Sequence, residues 1–411
     1  MKLLPPLPLF DSREFISEQS FPDRAKLSFM QTDFNHSKAF LKSYDGSVAT
    51  FNAYRREVER LLHWSWLIAK KSIKDLIRTD IEAYLAFCQN PPITWIGVKK
   101  VPRFIEKAGS RVANENWRPF VATLPKAVLR QGKRVDPKQY ELSLTALREI
   151  FAILSSLYNF LIQEEYSPIN PILHIRQKSK YLRKRQGKPK IRRLTELQWD
   201  YVIETAKQLA EQDPAQHERT LFMMTAFYAM YLRISELAAT VRWTPKMSDF
   251  HRDHDGCWWF TTVGKGNKER QIAVSDAMLT ALQRYRKHLG LSALPTTADK
   301  HALIPKIKGK GPVTNTSHIR TIVQFCFDQT ITKLREDGHI DEAGSLNEAT
   351  VHWLRHTGIS EDVKHRPREH VRDDAGHSSS AITDKYIDIE LRARHASAKK
   401  KNISNLTSPD D

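Results

Sequence analysis

An arginine and a glutamate lie three residues apart in an otherwise apolar stretch, residues 225–239. Because the stretch is apolar nearly all round, it predicts one buried helix. Arg233 within it needs a charged partner or an anionic ligand, since an isolated buried charge is costly. Two interpretations are open: Arg233 forms an internal pair with Glu236, or Arg233 is aimed at a phosphate and held by its neighbours.

A lysine occupies the tip of a predicted β-hairpin. Runs rich in β-forming residues at 257–263 and 271–274 flank the segment 264–270, whose Gly and Asn residues favour a tight turn. Lys265 in this turn is either solvated or inserted into a groove beside a reacting group.

Two histidines and an arginine share a later helical segment. His352 and Arg355 fall on one face. His352 and His356 have a spacing that suits zinc, but the metalloprotease pattern needs Glu directly after the first His, and Trp353 stands there. We therefore expect no metal site.

A Gly-His pair precedes a tyrosine by a fixed interval. Gly376 predicts the start of a helix, His377 follows it, and Tyr386 lies nine residues after His377. Each of these features alone is weak, because a single tyrosine on a helix is usually a core residue.

Together, the motifs resemble the tyrosine recombinase, or phage integrase, family. Its pattern is an Arg followed by x-x-Glu-Leu, a Lys in a Gly-Lys-Gly hairpin, a His-x-x-Arg, a Gly-His, and a Tyr nine residues later. All occur here in order within residues 194–390. They are Arg233 with Glu236-Leu237, Lys265, His352-x-x-Arg355, Gly376-His377 and Tyr386.

The resemblance implies a chemistry for each residue. Tyr386 would be the nucleophile that attacks a DNA phosphodiester, and Arg233 and Arg355 would bind its non-bridging oxygens. Glu236 would support Arg233. Two arginines then take the place of a metal, so no cofactor is expected.

The remaining catalytic residues would handle protons and hydrogen bonds. By the same resemblance, Lys265 protonates the leaving 5′-oxygen, His352 assists proton removal from the tyrosine, and His377 donates to the phosphate.

The chain departs from the family pattern at three places. Tyr231 stands where the family usually has Gly, two residues before the first Arg. Residues 361–374 are unusually charged, and the segment 91–138 is an insertion.

Composition excludes several protein classes. The 65 Lys and Arg against 47 Asp and Glu give a net charge of +18, which favours a polyanionic partner. Three scattered cysteines provide neither a disulfide framework nor a zinc cluster. The apolar run at 221–232 is too short to span a bilayer, and prolines interrupt the first ten residues, so neither a membrane span nor a signal peptide is predicted.

We expect a mainly α fold with a small antiparallel β-sheet, built as a two-domain DNA clamp. The predicted parts are an extended or loosely packed N-terminal arm (1–35), a helical core-binding domain (36–175) with the insert 91–138, a basic linker (176–193) and a catalytic domain (194–411). Thr195-x-x-Gln198 predicts the capping box of the first catalytic-domain helix.

The linker carries ten basic residues and no acid, and we interpret it as a strand that follows a phosphate backbone. A solvated tether and a nuclear-import signal are the alternatives. Its basic residues are Arg176, Lys178, Lys180, Arg183, Lys184, Arg185, Lys188, Lys190, Arg192 and Arg193.

The insert mixes basic and aromatic residues, among them Trp95, Phe104, Trp117 and Phe120. It is either an ordered elaboration whose aromatics pack on the neighbouring helices or a DNA-facing flap.

The predicted function is site-specific DNA recombination, for integration, excision or resolution of a mobile element. Double-stranded DNA is the expected partner, with a homotetramer on paired sites, accessory DNA-bending proteins and a bacterial cytoplasmic location. The alternatives are a type IB topoisomerase and a non-catalytic DNA-binding protein.

Overall fold

The computed structural model describes residues 3–21, 27–44, 46–125, 128–129, 132–176, 192–240, 243–264, 267–377, 382 and 398. It divides the chain into two units, Met1–Gly187 (unit 1) and Lys188–Asp411 (unit 2). Both are mainly helical, as predicted, and unit 2 has the predicted small antiparallel sheet, while unit 1 also carries two small sheets that the sequence did not predict. The boundary falls within the predicted linker, of which residues 177–191 lie outside the described part.

Unit 1 is a helical bundle around an apolar core. Its helices are α1 (Ser28–Ser43), α2 (Val48–Trp64), α3 (Arg78–Gln89), α4 (Leu144–Gln163) and the short α5 (Leu173–Arg176). Ser47 and Ser143 cap α2 and α4, because each side chain accepts a backbone N–H of the first turn.

A buried aspartate ties separate parts of unit 1 together. Asp33 on α1 accepts hydrogen bonds from Trp66 Nε1 at 2.7 Å and from the Ser72 and Tyr166 hydroxyls at 2.6 Å each. Burial nevertheless raises the pKa of Asp33. This carboxylate fixes α1 against the loops that follow α2 and α4.

The N-terminal residues pack tightly, so the prediction of a loosely packed arm over 1–35 is wrong for the described part. Leu9 and Phe10 are buried, and their backbone N–H groups donate to the carboxylate of Glu59 on α2. Helix α1 also begins inside the predicted arm. An acceptor on a distant helix holds this segment, and no periodicity within the segment can indicate that.

The insert is an ordered elaboration of unit 1. Its strands are β1 (Ile96–Gly97), β2 (Phe104–Lys107), β3 (Ser110–Ala113) and β4 (Phe120–Val121). β1 and β4 pair in parallel, and β2 and β3 form a hairpin. Trp95 and Phe120 are fully buried and Trp117 nearly so, which confirms the packing interpretation for these aromatics.

Helix α4 is, among the described residues, the one helix long and apolar enough to cross a membrane by length and composition. Half of that stretch is buried inside the protein, where the helix packs against α2. Nine of its residues are buried. Core helices of globular domains commonly have this composition.

Unit 2 surrounds a second apolar core with eight helices among its described residues. They are α6 (Glu196–Gln212), α7 (Pro214–Ala229), α8 (Ile234–Leu237), α9 (Asp276–His288), α10 (Thr316–Glu336), α11 (Ile340–Leu346), α12 (Val351–Asp362) and α13 (Arg368–Ala375). The predicted capping box at the start of α6 is confirmed: Thr195 accepts from Gln198 N at 3.2 Å, and Gln198 accepts from Thr195 N at 3.0 Å.

One antiparallel sheet in unit 2 orders as β5 (Phe250–Arg252), β6 (Trp258–Val263) and β7 (Glu269–Ala273). The predicted hairpin is confirmed as β6 and β7. Phe260 lies between Phe250 and Ile272 across the sheet, and all three are buried. β5 escaped prediction because three residues carry too little alternation to identify a strand.

Helix α12 approaches α7 closely at a glycine. A Cβ atom on Gly358 would lie 2.0 Å from the backbone oxygen of Tyr228 at the end of α7. Gly358 follows Arg355 by one turn of α12, so this close packing sets where Arg355 lies relative to the end of α7.

We predict that Gly358→Ala lowers the free energy of unfolding by at least 1–3 kcal/mol, because the two helices must separate. Gly344→Ala is the matched control, since no residue that the structure describes lies within 4 Å of its added Cβ on α11. That change should raise stability by roughly 0.5–1 kcal/mol through helix propensity. Urea unfolding of both variants measures the difference, and equal stabilities would contradict the close packing.

Candidate active site

The stretch that carries Arg233 forms two helices. α7 ends at Ala229, and Tyr231 has a φ of +49°, which an α-helix cannot contain. Arg233 is therefore the N-cap residue of α8. The prediction of one helix over 225–239 is wrong, because this left-handed residue turns the chain between two helical segments. It also gives a physical reason for the glycine of the family pattern at this position.

Tyr231 occupies the left-handed conformation at a cost of about 1–2 kcal/mol, and its side-chain contacts offset that cost. The ring is buried with Ile359, Val371 and Ala375. Its hydroxyl donates to Asp362, which Arg366 also contacts. The charges in the stretch 361–374 are thus partly used to hold this tyrosine.

A fully buried carboxylate holds two arginines. Glu236 Oε1 accepts from Arg233 Nη1 at 3.0 Å and from Arg270 Nη1 at 2.7 Å, while Oε2 accepts from Arg233 N at 2.7 Å and Arg270 Nη2 at 2.9 Å. Burial alone would raise the pKa of Glu236, but the bonds and charges of the two arginines hold that pKa below its usual value. The Arg233 side chain remains 29% exposed, so the internal pair and the phosphate interpretation are compatible.

Three arginines donate to three consecutive carbonyl oxygens at the end of α13. Arg270 Nε lies 3.0 Å from Asp374 O, Arg355 Nη2 lies 2.6 Å from Ala375 O, and Arg233 Nη2 lies 3.4 Å from Gly376 O. The last carbonyls of a helix lack partners within it and form the negative end of its dipole. The helix end therefore gathers three positive charges from elements that are far apart in sequence.

Arg355 is the most buried of the three arginines, at 2% exposure. Its Nη1 donates to the backbone oxygen of Tyr231. The turn at Tyr231 and the end of α13 thus hold the Arg355 guanidinium from two sides.

Gly376 ends α13, and the prediction that it starts a helix is wrong. Its φ of +62° makes it a left-handed C-cap, the usual place for glycine at a helix end. An added Cβ would also lie 2.9 Å from Arg270 Cδ. The glycine of the Gly-His motif therefore has two structural roles. It allows the left-handed turn, and it leaves room for the Arg270 side chain to pack against the backbone.

His377 follows directly in a field of positive charge. Partial burial and the charges of Arg355, Arg233 and Arg270 lower its pKa from 6.5 to about 4. His377 is thus neutral at pH 7 in the absence of DNA, and a neutral imidazole can still donate one hydrogen bond. His352 lies on the exposed surface of α12, with its ring centroid 4.2 Å from that of His356.

The structure brings together Arg233, Glu236, Arg355 and His377, with His352 on the same helix as Arg355. Lys265 and Tyr386 lie outside the described residues. So do the linker positions 178–190, while Arg176, Arg192 and Arg193 belong to the described part. Gly264, the residue before Lys265, lies beside the arginines: an added Cβ would be 3.2 Å from Glu236 Oε1 and 3.4 Å from Arg233 Nη1.

Two features of the site were not predicted from the sequence: Arg270, and the hydrogen-bonded group of Asp362, Arg366 and Asp374. Arg366 Nη2 lies 2.6 Å from Asp374 Oδ2, and Ala273 N donates to Asp374 Oδ1 at 3.2 Å. A buried glutamate between two arginines is a pattern in space, so the hairpin sequence gives no signal that distinguishes Arg270 from a surface cation.

We predict that Gly376→Ala lowers both stability and DNA cleavage, because its Cβ displaces Arg270 and strains the left-handed turn. Gly290→Ala is the matched control, since Gly290 has a φ of +72° and its added Cβ has no atom of the described part of the chain within 4 Å. The control should lose about 1–2 kcal/mol of unfolding free energy, and Gly376→Ala a further 1–3 kcal/mol. Urea unfolding and a cleavage assay of both variants measure this; equal losses in the two would contradict the contact with Arg270.

The positive charges around His377 predict a pH dependence. Its pKa of about 4 in the folded protein lies below the usual 6.5, so the unfolded chain takes up this proton first. Stability should therefore fall as the pH drops from about 6.5 towards 4. Nuclear magnetic resonance of the imidazole nitrogens measures the midpoint of the His377 titration, with His377→Asn to assign the signal. A midpoint at or above 6.5 in the DNA-free protein is the contrary result.

A family model described as "Phage integrase family" matches residues 192–392, which lie within unit 2. Tyrosine recombinase XerC of Pediococcus pentosaceus is 24% identical over 261 residues, 63% of this chain and 76% of that protein. Tyrosine recombinase XerD of Rickettsia bellii is 29% identical over 148 residues, 35% of this chain and 44% of that protein.

Solved structures share the fold of the chain. The XerH site-specific recombinase in a post-cleavage complex with palindromic difH substrate matches with a TM-score of 0.56 at 15% identity, over 94% of this chain and 92% of that one. The Tn1549 transposon integrase in complex with transposon right end DNA matches with a TM-score of 0.50 at 14% identity, over 91% and 99%. The family model and the related sequences assign residues 192–392 of this chain to the phage integrase family of tyrosine recombinases.

Proposed function

We propose that this protein is a site-specific recombinase that cuts and rejoins double-stranded DNA through a 3′-phosphotyrosine intermediate. The observation that carries the proposal is the gathering of Arg233, Arg355 and His377 at the end of α13. Tyr386 follows His377 by nine residues in the sequence. Guanidinium groups held in this way offer a preorganised site for a phosphate, whose charge grows in the transition state.

The two arginines of the motif have different environments, and we assign them different roles in binding the phosphate. Arg355 is buried and held by backbone oxygens of Tyr231 and Ala375, which fixes its orientation before DNA arrives. Arg233 keeps more of its surface exposed and meets the phosphate more directly. One preorganised donor of this kind contributes roughly 10²–10³ in rate.

The reaction exchanges one phosphate ester for another. The Tyr386 oxygen attacks the phosphorus, a bond to the 5′-oxygen breaks, and the tyrosine becomes joined to the 3′-phosphate. We assign the proton for the leaving 5′-oxygen to Lys265 and help with removal of the tyrosine proton to His352. Attack of a 5′-hydroxyl on the phosphotyrosine reverses the step and rejoins the strand, so no external energy source is required.

Several finer features of the function belong to this proposal. The basic linker, from Arg176 to Arg193, follows the phosphate backbone, and its last residues Arg192 and Arg193 lie in unit 2, shortly before α6. Assembly is as a homotetramer on paired sites, with accessory DNA-bending proteins, in the bacterial cytoplasm. The relatives of solved structure include a recombinase on its difH substrate and a transposon integrase on a transposon end, which supports recombination of a mobile element.

We predict that Tyr386→Phe binds DNA as the wild type does but forms no covalent complex on a nicked suicide duplex. The matched control is Tyr201→Phe, which removes a hydroxyl bound to Asp337 in the same unit. The control should form the adduct normally. Denaturing gel electrophoresis detects the adduct, and an adduct formed by the Tyr386→Phe variant would remove Tyr386 as the nucleophile. Joining of strands from two different sites distinguishes recombination from relaxation by a topoisomerase.

A further inference from the structure

Unit 2 contains a basic concavity that shares no residue with the candidate active site. It encloses about 510 Å³ between the first half of α7, the loop 306–308 and the residues that start α10. Its polar lining includes Gln216, Arg219, Lys306, Lys308, Asn315 and His318. A concavity of this size is adequate for a ligand group.

Arg219 is the unusual residue of this cavity. Its exposure is 9%, and its Nε is buried and makes no hydrogen bond with any residue that the structure describes. The neighbouring Glu218 does not compensate it, because Arg284 occupies that carboxylate with contacts of 2.7, 3.0 and 3.1 Å. A buried guanidinium without a carboxylate destabilises the folded protein unless an anion completes the site.

The surroundings of Arg219 add positive charge. Lys306 and Lys308 line the cavity, and no Asp or Glu of the described ranges does. Asn315 caps α10 by accepting Ser317 N at 2.8 Å, so the positive end of a 21-residue helix dipole also faces this region.

The lysines are presented by a closed loop. Pro305 and Pro312 form an antiparallel bridge, and Lys306 N donates to Gly311 O at 3.0 Å. Gly309 and Gly311 have φ values of +89° and +85°, which permit this tight turn. The backbone of the loop therefore fixes where the two lysines start, and only their side chains need to be ordered on binding.

We propose that this cavity binds a phosphate group of the DNA backbone at a position other than the cleaved one, with Arg219 as its central donor. The inference rests on the proposed function, which supplies a DNA duplex as substrate. A planar guanidinium matches the oxygens of a phosphodiester, and flanking lysines suit the adjacent phosphates of a duplex. The net charge of +18 is consistent with a polyanion as partner.

The test uses the full chain with Arg219→Met and Lys306→Gln, and with Lys287→Gln as the matched control for loss of one exposed charge outside the cavity. Binding isotherms on one duplex at several salt concentrations give the slope of log K against log salt. We expect Arg219→Met and Lys306→Gln each to flatten the slope by about 0.9, the contribution of one phosphate contact. Lys287→Gln should leave it unchanged. An unaltered slope in the Arg219→Met variant would overturn the proposal.

Stability without DNA separates a ligand site from a structural arginine. Removing a buried charge that no carboxylate of the described ranges compensates should leave the melting temperature of Arg219→Met equal to or above that of the wild type. A clear fall in melting temperature would mean that Arg219 holds the fold, and the proposal would then be wrong. Inorganic phosphate is the probe for a free anion: a rise in melting temperature that Arg219→Met abolishes, with an unaltered DNA salt slope, assigns the cavity to a free phosphate instead.

Failure of this inference is distinguishable from failure of the proposed function. The covalent adduct on a saturating suicide duplex depends on Tyr386 and should form in Arg219→Met as in the wild type. A wild type that forms the adduct together with an unaltered slope in the variant refutes the cavity alone. A wild type that neither binds nor cleaves duplex DNA refutes the proposed function, and the cavity proposal with it.

Discussion

The rest of the candidate site depends on one set of interactions, the hydrogen bonds from three arginines to the carboxyl end of α13. Three guanidinium groups so close together repel one another, and they remain only because acceptors surround them. The carbonyl oxygens of Asp374, Ala375 and Gly376 each take one arginine, and buried Glu236 takes two of the same three from the other side. A helix end suits this purpose because its final carbonyls need partners in any case. The same charges that would bind a phosphate thus complete the fold of unit 2.

The backbone has to make room for this arrangement, and it does so at two left-handed residues. Gly376 turns the chain at the end of α13 at little cost, whereas Tyr231 does so between α7 and α8 at a cost that its buried ring and hydroxyl offset. The turn at Tyr231 also presents the carbonyl oxygen that binds Arg355. Replacing the family's glycine by tyrosine therefore moves the support of this turn from backbone freedom to side-chain packing. The charged stretch 361–374 supplies part of that support, since Asp362 and Arg366 both contact the Tyr231 hydroxyl.

Features that are written as a pattern along the chain were predicted correctly, and features that depend on tertiary contacts were not. The order and spacing of the motif residues predicted the family, and alternation around a Gly-Asn turn predicted the β6–β7 hairpin. The continuous helix through Arg233 was wrong because apolar periodicity persists across a turn that only the φ of Tyr231 reveals. The loosely packed arm was wrong because its anchor, Glu59, lies on another helix. Arg270 gave no signal, since its role arises from Glu236, 34 residues earlier in the chain. The roles of Lys265 and Tyr386 stay predictions, because both residues lie outside the described part.

Under the proposed function, the arrangement also links DNA binding to protonation. The arginines that surround His377 keep its imidazole neutral, with a pKa of about 4, as long as protein acceptors alone balance their charge. A phosphate that enters among Arg233, Arg355 and His377 brings the negative charge that this region lacks, and it favours the protonated imidazole by the same Coulomb interaction. His377 would then gain donor capacity only when substrate is present. Because each arginine already has a fixed acceptor on α13 or Glu236, the phosphate need not reorganise these side chains, and its binding energy can go to the charge that develops in the transition state.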